Sequence, residues 1–226
     1  MKPIIVYTDQ IDDICERVLE LYHEKQRTQP GKRLLISLAG FPGSGKTTLA
    51  SNILKEVTKS VKCQVLPQDG FHLYRKQLGE LTNAQEAIIR RGAPFTFNVD
   101  AFVALLSRLN DPSVDVIKAP SFDHELKDPI EDDIIIDAET RIVIVEGNYV
   151  SLKDKVWNEI SNFVDETWFC ETPLDIVRDR LIHRHLLSKV SENVKEAEER
   201  ADGSDLMNAL YIMENSKEVD LRIITR

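Results

Sequence analysis

An α/β protein, with a mostly parallel sheet covered by helices on both faces, is the architecture this sequence predicts. Three observations predict it. Short apolar runs near 34–39, 63–67, 141–145 and 167–170 alternate with longer stretches of helical periodicity. The run Leu34 to Ala39 passes directly into a glycine-rich turn, and a helical pattern begins at Lys46. The chain has 226 residues, 42% hydrophobic and 30% charged, which suits one globular domain spanning 1–226.

The elements follow in order. Ile11, Ile14, Val18, Leu21 and Tyr22 share one face of a helix expected over 9–26, so residues 1–30 read as an N-terminal helical extension. Pro30-Gly31 ends it and introduces the strand at Leu34. A helix over about 46–60 comes next, then a strand from Cys63 to Pro67. Two helices are expected at 82–91 and 98–109, capped by Thr82 and Asn98. Strands at 114–118 and 133–136 would flank a loop, Pro120 to His124. Arg141 to Val145 is a fully apolar strand, followed by a helix at 152–163 and a strand at 167–170. A long helix starts at Pro173, proline being favoured in a first turn. A polar interruption at 191–203, a helix near 206–216 and a strand at 220–225 complete the chain.

Composition narrows the function. The formal charge of −9 disfavours general nucleic-acid binding, which needs a basic face. The longest apolar runs are about six residues, far short of a membrane span, and no signal-peptide core follows Lys2. Cys15, Cys63 and Cys170 are widely separated, as reduced thiols of a cytoplasmic protein are, and lack metal-ligand spacing. A small anionic substrate stays open, because local arginines can dominate a cleft. A homodimer is also left open.

The most specific signal is Gly40-x-x-x-x-Gly45-Lys46-Thr47 between a buried strand and a helix start, the setting of a phosphate-binding loop. Glycine lets backbone N–H groups approach an anionic triphosphate, and the helix adds unpaired amides and its positive dipole end. Lys46 can reach the β- and γ-phosphates and the Thr47 hydroxyl can ligate Mg²⁺, so the chain is expected to bind a nucleoside triphosphate. Ligands of open α/β sheets bind beyond the carboxyl ends of the strands, and two carboxylates fall there too. Asp69 follows the Cys63 strand and is the candidate general base for phosphoryl transfer, or else fixes its own turn. Glu146 ends the Arg141 strand and can hold Mg²⁺, or is a solvated strand end. Arg178, Arg180 and Arg184 lie on a helix that can act as a lid over about 173–203, or form a solvated basic face paired with Asp175 and Asp179. His183 and His185 fit surface or packing roles. The Arg90 to Phe97 loop can hold an acidic or ring-containing substrate, with Phe95 and Phe97 equally able to serve as core. His72 and His124 fall in cleft loops.

Together, Gly40 to Thr48, Gln68-Asp-Gly-Phe-His-Leu73, Arg90-Arg-Gly-Ala-Pro-Phe-Thr-Phe97, Pro120-Ser-Phe-Asp-His124, Val145-Glu-Gly-Asn-Tyr149 and Asp205-Leu-Met-Asn208 resemble the phosphoribulokinase/uridine kinase/pantothenate kinase branch of P-loop kinases. The likeness runs from about Arg33 to the C-terminus and is strongest to a subgroup holding bacterial fructose-transport-system kinases and a fungal ATP-dependent kinase. It implies a three-layer P-loop NTPase fold with a helical lid, and an ATP- and Mg²⁺-dependent kinase of a small metabolite hydroxyl, nucleoside-, pantothenate- or sugar-like. Lys46, Asp69, Glu146, Arg180 and Arg184 would be catalytic. Gly40, Phe41, Pro42, Gly43, Ser44, Gly45, Lys46, Thr47, Thr48, Arg178 and Asn208 would contact nucleotide, and Thr47 and Glu146 the metal. His72, Arg91, Phe97, His124 and Tyr149 would wall the acceptor with Asp69. The alternative is a P-loop NTPase acting as a switch or assembly factor without an acceptor, but a guanine-reading Asn-Lys-x-Asp segment is missing. A non-turning scaffold would not need Lys46, Thr47, Asp69 and Glu146 together. A nucleoside monophosphate kinase would use Arg90 and Arg91, but its phosphate acceptor makes a base at Asp69 superfluous.

Overall fold

A computed structural model of the chain describes residues 2–123, 125–188 and 191–225. In chain order, β1 is Ile4–Tyr7, α1 Ile11–Thr28, β2 Leu34–Gly40, α2 Lys46–Val57 and β3 Cys63–Pro67. Then come α3 Arg75–Glu80, α4 Ala84–Ile89, α5 Val99–Leu109, β4 Ile117–Asp123, β5 Asp128–Ile136, β6 Ile142–Gly147 and β7 Glu166–Glu171. Helices α6 Leu174–Leu187, α7 Val194–Arg200 and α8 Leu206–Asn215 precede β8 Leu221–Ile224.

Six strands form one parallel sheet in the order β1-β8-β7-β2-β6-β3. Strand β2 is buried along its whole length, and its pleat divides it between two cores. Leu34, Ile36 and Leu38 pack with Ile14 and Val18 of α1 and Leu49 and Ile53 of α2. Leu35 and Ala39 pack with Phe102 and Leu106 of α5, Val177 and Leu181 of α6 and Ile212 of α8. Helices therefore cover both faces, as the alternation predicts.

The amino end of β2 is held by Arg33, which is buried and donates to the carbonyls of Thr140 (3.2 Å), Leu109 (3.3 Å), Val114 (3.2 Å) and Asp137 (3.3 Å). One guanidinium thus ties the end of α5 and the β5–β6 turn to the central strand.

Several local expectations are corrected. The N-terminal extension begins with a strand, β1, paired in register with β8 from the other end of the chain (Ile4 with Leu221, Tyr7 with Ile224). The segment Pro120 to Asp123 is not a loop: it lies inside β4, which pairs antiparallel with β5 as a separate two-stranded sheet. The helix expected from 152 is reduced to a 3-10 turn over Trp157–Asn162, because Val156 takes φ 72° and breaks the helical path. Residues 194–200 are helical, capped by Asn193 accepting from the Glu196 amide at 3.0 Å. A kink at Gly203, with φ −93° and ψ −105°, then separates α7 from α8.

Candidate active site

The register brings the chemistry together. Leu38 of β2 and Pro67 of β3 both pair with Glu146 of β6, so the glycine turn, Glu146 and the Asp69 turn leave the sheet at one edge. Gly43 (φ 79°) and Gly45 (φ 89°) occupy the left-handed region that favours glycine. Gly45 caps α2 without any side-chain bond, which leaves the first amides of the helix for an anion.

Behind this loop, the Ser44 carbonyl accepts from Thr172 Oγ1 (2.8 Å), Cys170 Sγ (3.4 Å) and Arg180 Nη1 (3.3 Å). Gly40 is fixed by space, since a Cβ there would lie 2.6 Å from Ser44 Oγ and 2.9 Å from the Cys170 carbonyl. Phe41 is buried against Phe169, and Pro42 is buried as well. Two groups converge on one carboxylate oxygen. Thr47 Oγ1 donates to Glu146 Oε1 at 3.2 Å and Lys46 Nζ lies 3.6 Å from the same atom, while also donating to the Phe41 carbonyl at 3.5 Å. Thr48 is exposed beside Thr47.

Burial pushes the Glu146 carboxyl above its ordinary range. Lys46 opposes that rise and the neighbouring Asp69 carboxylate adds to it. A buried carboxylate and a hydroxyl side by side at a phosphate loop are hard oxygen donors, a set that fits Mg²⁺. Among the described residues no group of three or more His, Cys, Asp or Glu side chains offers a different metal site.

Asp69 stands in a 3-10 turn, Gln68–Phe71, directly after β3. Its carbonyl accepts from the His72 amide (3.2 Å) and from His72 Nδ1 (2.8 Å), so His72 carries a proton on Nδ1. The turn is pressed against β4: a Cβ on Gly70 would sit 2.0 Å from the Pro120 carbonyl oxygen. Gly147 likewise leaves room for Gln68, whose Oε1 accepts from the Tyr149 amide at 2.9 Å. The His72 ring lies against Phe97 (4.0 Å between centroids) and Phe122 (4.7 Å), and Phe97 meets Tyr149 and Trp157 edge-on.

The remaining expected residues are distributed as follows. Tyr149 is fully buried, with its hydroxyl donating to the Gly92 carbonyl at 2.6 Å, so it supports the aromatic wall from behind. Arg91 donates to the Leu73 carbonyl (3.0 Å) and the Lys127 carbonyl, and pairs with Asp128 (3.1 Å), fastening the β4–β5 hairpin. Arg180 of α6 rests on the phosphate loop through Ser44. Arg178 of α6 is bidentate to Asp202 at 2.6 and 2.8 Å, rather than bonded to the phosphate loop. Arg184 is exposed on α6, and Asn208 is buried on α8. His185 is also buried, with Nε2 2.6 Å from Asp205, whereas His183 is exposed. His124 lies outside the described residues.

Sequence reasoning missed Gln68 as a bridge, Phe122 and Trp157 as wall residues, and the Thr172 brace. Gln68 and Phe122 sat within motifs already singled out. Trp157 and Thr172 carried no local signal.

The three cysteines are free and buried, and burial raises the Cys15 and Cys63 thiols to about 11 and about 12. No helix among the described residues is long and apolar enough to cross a membrane.

No family model matches the chain. Individual proteins do. A uridine kinase-like protein of Schizosaccharomyces pombe is 35% identical over 213 residues, covering 93% of this chain and 88% of that protein. The ATP-dependent kinase YFH7 of Zygosaccharomyces rouxii is 30% identical over 230 residues, covering 88% of this chain and 61% of the relative. Among solved structures, a fructose-transport-system-kinase-like protein of Silicibacter sp. TM1040 superposes with a TM-score of 0.83 at 30% identity, covering 94% of this chain and 98% of the other. With the phosphate loop, its carboxylate and the parallel sheet in place, the chain belongs to the P-loop kinase family of the uridine kinase-like and YFH7 proteins.

Proposed function

We propose that this chain is an ATP- and Mg²⁺-dependent kinase that phosphorylates a hydroxyl of a small metabolite, nucleoside-, pantothenate- or sugar-like. The observation that carries the reading is the pairing of Glu146 with both β2 and β3, which sets Lys46, Thr47 and Glu146 beside the Asp69 turn. A phosphoryl donor and a hydroxyl acceptor need those two halves side by side. In the proposed reaction the acceptor oxygen bonds to the γ-phosphorus as the bond to the β,γ-bridging oxygen breaks. Its electron pair leaves on ADP, and the hydroxyl proton passes to the Asp69 carboxylate.

Lys46 and the α2 amides act on charge developing at the β- and γ-phosphates. Thr47 and Glu146 would hold Mg²⁺, which neutralises phosphate charge. Arg180, seated on the loop through the Ser44 carbonyl, would stabilise the transferring group. The His72, Phe97 and Phe122 rings keep water from the acceptor side. An NTPase switch would need only an attacking water and would leave this aromatic side without a task.

The test is ADP release across nucleosides, vitamins, sugars and their phosphates. Stimulation by one hydroxyl compound, with kcat reduced about 10²- to 10⁴-fold in Asp69→Asn, is expected. A slow rate indifferent to every acceptor and to Asp69→Asn would instead favour a hydrolytic role.

A further inference from the structure

The Ser44–Gly45 peptide is held from behind by two hydroxyls to which the proposed reaction gives no part. Thr172 stands just past β7 and is 2% exposed. Its Oγ1 donates to the Ser44 carbonyl at 2.8 Å and lies 2.5 Å from Thr225 Oγ1. A hydroxyl carries one proton, and that of Thr172 is committed to Ser44, so Thr225 is the donor in the second bond. Cys170 Sγ and Arg180 Nη1 reach the same carbonyl at 3.4 and 3.3 Å, which leaves Thr172 with the shortest of the three contacts. Burial raises the Cys170 thiol and so keeps it a protonated donor. A trans peptide is planar, with its C=O and N–H on opposite sides. Drawing the Ser44 carbonyl toward the end of β7 therefore turns the Gly45 N–H away from it. That amide has no acceptor among the described residues, and it leads into the α2 amides left for an anion. Gly45 itself, at φ 89°, has no side chain with which to fix the plane.

We propose that Thr172 is a positioning residue for phosphate binding: its hydroxyl, oriented by Thr225, holds the Ser44–Gly45 peptide so that the Gly45 amide is presented to the nucleotide phosphates. The proposal rests on the nucleotide-binding half of the kinase reading and adds to it two residues that touch no ligand. Thr225 directly follows β8, so the last strand of the chain serves the phosphate loop as well as the sheet. Without the brace the peptide is freer to rotate, and a bound phosphate must order it at the moment of binding. Affinity then falls although every group that meets the phosphates is still present.

The experiment is calorimetric titration of the full chain with Mg-ADP and with inorganic tripolyphosphate, which carries no base. Thr172→Val keeps the shape of the side chain and loses the hydroxyl, and its Kd for both ligands is expected to rise about 5- to 10-fold. Thr172→Ser keeps the donor and should stay within about 2-fold of wild type. Thr225→Val removes only the orienting bond and should fall between the two. A lower Tm for Thr172→Val with unchanged Kd values would make Thr172 a packing residue and overturn the proposal. An equal loss of affinity in Thr172→Ser, or a loss confined to Mg-ADP, would overturn it as well. Should far-UV circular dichroism show that Thr172→Val does not fold, Thr225→Val decides, and an unchanged Kd there overturns the proposal. All of these outcomes leave the kinase reading standing, since none involves the acceptor. Failure of the wild-type chain to bind Mg-ADP overturns both.

Discussion

Replacing Gly70 with alanine tests how the proposed base is positioned. A Cβ on Gly70 would lie 2.0 Å from the Pro120 carbonyl oxygen and 2.7 Å from its carbon, where ordinary contact begins at 3.4 Å. The shortfall of 1.4 Å is against backbone, so no side chain can swing away to absorb it. Either the Gln68–Phe71 turn or β4 must move by about an ångström, and overpacking of this kind costs about 3 kcal/mol. For a chain of this size that lowers Tm by about 6–12 °C. Because Asp69 precedes Gly70, the same displacement should reduce acceptor-stimulated kcat by about 10²-fold. ATP affinity should hold, since the phosphate loop hangs from β2. Scanning calorimetry and ADP release read the two effects. The control is Gly79→Ala: that glycine is exposed in α3 with nothing within 4 Å, and alanine there should add about 0.5–1 kcal/mol. Equal Tm values for Gly70→Ala and wild type, or an unaltered kcat, would refute the close-approach argument.

Lys46→Ala should abolish phosphoryl transfer with the fold retained; full activity would remove the loop from the mechanism. The raised Glu146 carboxyl means the folded protein holds that proton more tightly than the unfolded chain. Its contribution to stability is therefore present below the ordinary carboxylate value and lost as pH rises from there through the higher folded value. Without nucleotide, the Tm advantage of wild type over Glu146→Gln should accordingly shrink as pH increases over that window, and a widening advantage would contradict the sign. Arg33→Met strips donors from four carbonyls, those of Thr140 and Leu109 buried and those of Val114 and Asp137 partly so, and should cost about 3 kcal/mol in urea unfolding, with a change below about 0.5 kcal/mol arguing that water replaces the guanidinium.

What could be read from the sequence was what is encoded locally. The β2 run, the glycine turn and α2 are contiguous, so periodicity and turn chemistry locate them without a tertiary partner. The Asn98 cap of α5 is equally local: its side chain accepts from the Ala101 amide at 3.1 Å. Strand β1 was illegible for the opposite reason. Four apolar residues have no period, and they become a strand only because β8, more than two hundred residues away, offers an edge. Strands at 114–118 and 133–136 were expected, but the continuation of β4 and β5 toward their turn hid behind Pro120 and a register shift between Ala119 and Ser121, which look like loop signals. In the site, Asp69 and Glu146 were legible as strand-end acids. The seating of Arg180 on Ser44 and the closure of the wall by Trp157 depend on distant segments meeting. The bond of Arg178 to Asp202 likewise needed the helix α7 that the polar composition of 191–203 concealed.

The hairpin has a consequence for how such a protein diversifies. It lies outside the six-stranded sheet; Ile117, Ala119 and Ile136 root it in the core, and its outer part is fastened by Pro120 against Gly70, Arg91 to Asp128, and Tyr74 Oη to Glu131 at 2.6 Å. Nucleotide handling, by contrast, is built into the sheet itself. Under the proposed reading, donor and acceptor are served by separately anchored pieces of one chain. Exchanging the hairpin while keeping Gly70 and Arg91 would change which molecule receives the phosphoryl group and leave the energy source untouched, which makes β4–β5 the natural segment to transplant in redirecting specificity.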